Sequence, residues 1–442
     1  MNKLKFSMVA LLSATMLTAC SLPESLTGAL PGMSKSTSET PTSTEQKPAE
    51  PTYDSGTYKT EPGKQIETTA DLTRAVEPFV LGEYVPLPYE IDGILTETKG
   101  AITIFGAKSM ALHLSQNLVH KLEEFRPIYG YLNSASSLRD KPIDPDFGIN
   151  HSVIRFEDAD SALRAAEGLH GVMITDGSKF METDEPKPST PITVPGMERS
   201  LISSSFQEYD NTTSYMSFTP HQEYVIYTWV SAPVGEEAWN DRTVKKALDL
   251  QIPLLEQFPS VKTEAGFGKT DEFPPVDPGG VLRYAVPYRD EDSPKSTPGS
   301  LGPRGIAGRF YNSKFIHDTL VQTNSVHNGK NASYVFRADT DFGAKSIFNA
   351  FVDDSLKDGA VEYEDPQKIP DTTCTMNEDS GGQRYDCYVI NGRYVGYVSG
   401  DADQKTENQE AEKKRVSQQL AAQYKIFLKA DQNAVKEEQP KQ

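Results

Sequence analysis

"SVIRFEDADSALRAAEGL" (Ser152–Leu169) and, far downstream, "SYVFRADTDFGAKSIFNAF" (Ser333–Phe351) read alike. Each opens on a β-branched and aromatic run, reaches an Asp-x-Asp, and passes into an Ala-rich segment of helical composition. Asp158 pairs with Asp339 and Asp160 with Asp341, both 181 residues apart. Further on, "EYVIYTWVS" matches "RYVGYVSG", setting Tyr224 against Tyr394 and Tyr227 against Tyr397. Each half then closes on an apolar stripe at helical period: Val244, Leu248, Ile252 and Leu255 in the first, Val416, Leu420, Tyr424 and Phe427 in the second. Three elements in one order, with separations that change only across loops, predict an internal duplication.

Strands outnumber helices in each half. "TSYMSFTPHQEYVIYTWV" predicts a hairpin turning at Thr219–Gln222, and "DCYVINGRYVGYV" one around Asn391-Gly392. The Tyr224–Val230 run is apolar on both faces, so it belongs in the middle of a sheet under a helix. The predicted fold class is α+β: two similar domains, each an antiparallel sheet packed by helices, at residues 53–261 and 281–430. Gly and Pro cluster and periodicity fades in a linker at 262–280.

The N-terminus supplies a location. Residues 1–19 carry Lys3 and Lys5 and then a twelve-residue apolar run, the pattern of an export signal too short to span a bilayer. Leu17, Thr18, Ala19 and Cys20 match a bacterial lipobox, which predicts cleavage before Cys20 and a diacylglycerol thioether on its sulfur. Residues 20–52 are rich in Ser, Thr, Pro and Glu and read as a disordered stalk. A coil of that length reaches roughly 30 Å, at about 5–6 Å times the square root of residue number. Residues 431–442 read as a polar tail. The expected site is therefore the extracytoplasmic face of the cell membrane, with the membrane itself a partner through Cys20.

The chain has three cysteines. Cys374 and Cys387 flank "TMNEDSGGQRYD", a Gly-rich turn between strand-like runs, and predict a disulfide across a hairpin in an oxidising compartment. A metal site there would need further ligands, and residues 360–400 contain no histidine. The formal net charge of -19 argues against nucleic acid as a partner.

Catalytic patterns are missing in turn. No G-x-S-x-G occurs. Gly268, Lys269 and Thr270 fit the end of a phosphate loop, but Thr263 stands where its first glycine belongs. His113 and His120 are seven apart, the wrong spacing for a zincin. Asp160 and Asp341 sit where helices begin, which points to N-terminal capping rather than acid–base or calcium chemistry. "RDEDSPKS" (Arg289–Ser296) lacks the spacing of a calcium loop. No cofactor is implied and no catalytic residue is assigned.

Five stretches in order, "DSGTYKTEP" (Asp54–Pro62), "FVLGEYVPLPYEID" (Phe79–Asp92), "LDLQIPLLEQF" (Leu248–Phe258), "DPGGVLR" (Asp277–Arg283) and "GPRG" (Gly302–Gly305), resemble a family of actinobacterial envelope lipoproteins classed as a domain of unknown function. The resemblance implies a mycolate-containing envelope of the corynebacterial or mycobacterial kind and supplies no catalytic residues. The expected function is non-enzymatic binding or scaffolding of an envelope glycolipid or another envelope protein. The alternative is an envelope-acting hydrolase or transferase with an unrecognised site.

Overall fold

A computed structural model describes residues 52–138, 147–179, 185, 187–208, 210–292, 297–379, 382–403 and 405–434. The first half runs α1 (Ala70–Leu81), α2 (Pro88–Ile91), β1 (Glu97–Thr98), β2 (Ile102–Ile104), α3 (Gln116–Glu124), β3 (Tyr129–Ser136) and β4 (Gly148–Arg155). It continues with α4 (Ala159–Thr175), β5 (Thr190–Ile192), β6 (Leu201–Gln207), β7 (Thr212–His221), β8 (Tyr224–Pro233) and α5 (Glu237–Gln257). The second half opens with β9 (Gly299–Leu301), α6 (Pro303–Ala307), α7 (Ser313–Gln322), β10 (Asn328–Lys330), β11 (Tyr334–Arg337) and α8 (Asp341–Lys357). Then come β12 (Val361–Tyr363), β13 (Thr372–Asp379), β14 (Gly382–Asn391), β15 (Tyr394–Ala402) and α9 (Thr406–Phe427).

Strand order exposes the repeat. The first sheet is β1-β3-β4-β8-β7-β6-β5, with β2 also on β3; the second, taken from its β9 end, is β9-β10-β11-β15-β14-β13-β12. Every ladder is antiparallel, and the two orders are the same order. β8, apolar on both faces, is central between β4 and β7. Its Val225 and Tyr227 pack with the α3–α4 layer, and Val230 packs with α5 on the other face.

Register corrects the sequence alignment at two places. Arg155 pairs with Tyr224 and Arg337 with Tyr394, so the strand ends correspond and the helix caps follow: Asp158 takes Ser161 N at 2.6 Å, Thr340 takes Gly343 N at 3.0 Å. Asp158 thus matches Thr340, one residue beyond Asp339, and Asp160 and Asp341 lie in the first turns instead of capping them. An N-cap accepts either Asp or Thr, so identity between two Asp-x-Asp runs does not fix the register. The β7–β8 turn is Gln222–Glu223, later than Thr219–Gln222, because His221 still pairs with Tyr224. Its twin is Gly392–Arg393, with Asn391 on Tyr394 and Gly392 at φ +53°.

The two halves share a core. Tyr129, Tyr131, Val153 and Ile226 from the first sheet lie in one apolar cluster with Phe336, Tyr388, Val395 and Tyr397 from the second, together with residues of α1, α5, α6, α7 and α8. The described residues accordingly form a single compact unit. Residues 53–63, which precede the first sheet in sequence, lie on the second half. Tyr53 meets Tyr424 edge-on at 5.8 Å, Gln418 Nε2 donates to Asp54 at 2.7 Å, and Arg415 donates to Tyr58 Oη at 2.9 Å.

Candidate functional site

The stretches that carry the family resemblance become joints. Glu83 of "GEYVPLPYE" accepts Gly305 N at 2.6 Å and Arg304 N at 3.2 Å from "GPRG". Arg304 returns bonds to Glu83 O at 2.9 Å and to Glu90 at 2.8 Å. Desolvation in this seam pushes the Glu83 carboxyl up, against the pull of those donors. A Cβ on Gly302 would stand 2.3 Å from the Glu83 carboxyl carbon, so the chains approach this closely only at glycine. In "DPGGVLR", Asp277 accepts Leu282 N at 2.8 Å and Arg283 N at 3.1 Å, and Arg283 O takes Gly63 N at 2.7 Å from just after "DSGTYKTEP".

"LDLQIPLLEQF" supplies a buried joint that occurs twice. Gln251 Nε2 donates to Tyr84 O at 2.7 Å and its Oε1 faces His151 Nε2 at 3.0 Å; Gln423 Nε2 donates to Tyr284 O at 2.9 Å and its Oε1 takes Ser333 Oγ at 2.6 Å. His151 Nδ1 also meets Thr228 Oγ1 at 2.9 Å. Burial lowers its pKa to about 4, so the imidazole is neutral. This repeated polar network is invisible in the sequence because a glutamine inside an apolar stripe looks like a surface interruption.

Arg155, 1% exposed at the end of β4, donates to Tyr129 Oη at 2.8 Å, Val261 O at 2.7 Å and Phe267 O at 3.0 Å, with Glu77 and Glu223 each 3.4 Å away. It holds the 262–270 segment against the sheet. That settles "AGFGKT" as an anchored loop: Thr263 N bonds Phe267 O at 2.8 Å, Lys269 Nζ donates to Leu255 O at 2.6 Å, and no helix follows it. The twin Arg337 reaches Gly279 O at 2.7 Å. Around Tyr397, Asp386 accepts its hydroxyl at 2.7 Å while Arg384 donates to the same oxygen at 2.8 Å. Burial pushes the Asp386 carboxyl up, against the pull of Arg384. The Arg155 network is buried inside the body, whereas the Tyr397–Asp386 pair is buried beneath an exposed Arg384.

The remaining sequence candidates do not converge. His113 lies before α3, where burial lowers its pKa, and His120 is exposed on that helix. Arg289 is forked onto Asp292 at 2.7 Å. Among the described residues no group of three His, Cys, Asp or Glu is placed to hold a metal ion, and no helix is long and apolar enough to cross a membrane. Cys20 lies outside the described residues. Cys374 and Cys387 are directly paired across β13 and β14 and joined at 2.01 Å, both buried.

Cys374 also lines a surface cleft of about 240 Å³ at the β12 edge of the second sheet. Tyr363 and Ile369 supply further wall, with the Tyr363 hydroxyl 3.2 Å from Cys387 Sγ and the Lys413 ammonium 5.0 Å over its ring. Glu362 and Glu364 are exposed on the cleft, the latter paired to Lys368 at 3.0 Å. Asp365 is only 5% exposed: its Oδ2 accepts Gln367 N at 3.0 Å, and its Oδ1 has no partner. Gln367 in turn accepts Asp54 N at 2.6 Å, so the cleft opens beside the point where the chain enters the body. Sequence reading passes over Asp365 because "EDPQ" reads as an ordinary Asp-Pro turn.

The architecture is thus a duplicated α+β body with one acidic edge cleft and structural polar networks. Models of a domain of unknown function, DUF7373, match it in two parts, the N-terminal over residues 65–267 and the C-terminal over 282–430. Together they span most of the chain, which belongs to this family. The extracellular domain of PknH from Mycobacterium tuberculosis is similar over 39% of this chain and 94% of that one, at 11% identity and a TM-score of 0.29. No curated protein matches the sequence.

Proposed function

We propose that this is a membrane-tethered, non-enzymatic binding or scaffolding protein of the cell envelope, anchored on the extracytoplasmic side through diacylglycerol on Cys20. Its target is an envelope glycolipid or another envelope protein, met at the surface of the body. The observation that carries this reading is the use of the polar groups: Gln251–His151, Gln423–Ser333 and Arg155–Glu77 close on one another within a module, and Glu83–Arg304 closes across the two. The seam between the modules is filled by apolar side chains, so recognition belongs to outer faces. The Cys374–Cys387 bond suits an oxidising compartment.

Metabolic labelling with a clickable fatty acid tests the tether. The wild-type chain should be marked and Cys20→Ser should not; labelling that survives the substitution removes the anchor from the proposal. Native mass spectrometry with envelope glycolipids and in-cell crosslinking test the binding role, which turnover of an envelope substrate by the purified protein would overturn.

A further inference from the structure

We infer that the cleft beside β12 recognises a compact organic cation, an alkylammonium or guanidinium group carried on an apolar stem. This inference stands apart from the tether, since it concerns only the folded body. Its first support is Asp365. Among the described residues, its Oδ1 is the one buried carboxylate oxygen without a hydrogen-bond partner, and Asp365 lines the cleft. An acceptor buried in this way is complemented by an incoming N–H donor.

The second support is the wall. Exposed Glu362 and Glu364 lend negative potential to the cleft, while Tyr363, Ile369 and the Cys374 sulfur offer apolar surface for a carbon stem. Lys368 also lines the cleft but is engaged by Glu364 at 3.0 Å, an exposed pair that an incoming cation can displace. A volume of about 240 Å³ falls below that of a drug-sized pocket and suits a single side chain. A hard metal ion fits less well. Calcium takes six to eight oxygens, whereas no group of three His, Cys, Asp or Glu is placed for a metal among the described residues.

The test is titration of the full chain, followed by NMR or calorimetry, with Nα-acetyl-lysine methylamide and its arginine counterpart. The neutral norleucine analogue and calcium chloride alone serve as the other arms. Saturable binding of the cationic probes is expected, with shifts confined to residues 362–374. The norleucine analogue should bind at least about tenfold more weakly, and Asp365→Asn should lose about tenfold in affinity for the cations. Equal binding of norleucine, the same shifts from calcium chloride, unchanged affinity in Asp365→Asn, or no saturable binding of either cation each overturn the proposal. Should Asp365→Asn fail to fold, the exposed double variant Glu362→Gln/Glu364→Gln carries the test. Its affinity should fall about threefold or more, with a weaker salt dependence, and unchanged affinity overturns the proposal.

Discussion

His151 and Ser333 occupy the same place in the two modules, yet only one of them titrates. Folded, His151 stays neutral to about pH 4, while the unfolded chain protonates it near its ordinary pKa of 6.5. Between those values the unfolded state binds the extra proton, so stability falls as the pH falls. Urea unfolding at pH 7 and pH 4.5 should show about 2 kcal/mol less of this loss in His151→Ser than in wild type. An identical loss in both would mean that the imidazole is not held neutral. Glu223 and Arg393 make the same point, as twin turn residues that kept their geometry and changed sign: Glu223 faces Arg155, and Arg393 Nε donates to Ala338 O at 2.8 Å. Sequence likeness sees none of this, because it aligns letters and these positions share only a location in the ladder. Asp365 was equally illegible: an Asp before Pro announces a turn, but burial and an unpaired oxygen are properties of the folded neighbourhood.

Elements with strong local period were legible. Val244 and Leu255 lie on the buried face of α5, with Leu248 and Ile252 half-buried at its margin and Ala247 and Gln251 at its centre; Val416–Phe427 is the buried face of α9, and the Asn391-Gly392 signal does mark a hairpin. The short strands β1, β2, β9 and β10 were not, since two or three residues carry no period and exist only through their partners: β3 for β1 and β2, β11 for β10, and β10 in turn for β9. Two outcomes follow at this scale. Gln423→Leu should cost about 1–3 kcal/mol, because Tyr284 O loses its donor in the core and Ser333 its acceptor. Gln251→Leu should cost a similar amount through Tyr84 O, and chemical denaturation of each variant measures both. Reducing the Cys374–Cys387 bond opens a hairpin link of sequence separation 13 and should cost about 3 kcal/mol in the chain-entropy account, read as a lowered melting temperature under reductant.

At the scale of the whole molecule, two modules that share a core cannot melt apart. Calorimetry should give one transition for residues 53–434, and residues 65–267 or 282–430 expressed alone should bind a hydrophobic dye and lack near-ultraviolet dichroism until mixed. Two separate transitions would refute the shared core. Gly302→Ala should loosen the seam by displacing the Glu83 carboxylate from Gly305 N, at a cost of about 1–3 kcal/mol. The sequence pointed to duplication but not to this union, because contacts between residues some two hundred positions apart leave no local trace. The strap of residues 53–63 has a mechanical consequence. A pull applied at residue 52 first loads Asp54 against Gln367 and Gln418, and Tyr53 against Tyr424, all on the second half. Tension therefore enters through α9 and the segment that carries Gln367, the first sheet hangs beyond the load, and the acidic cleft sits at the end that bears it.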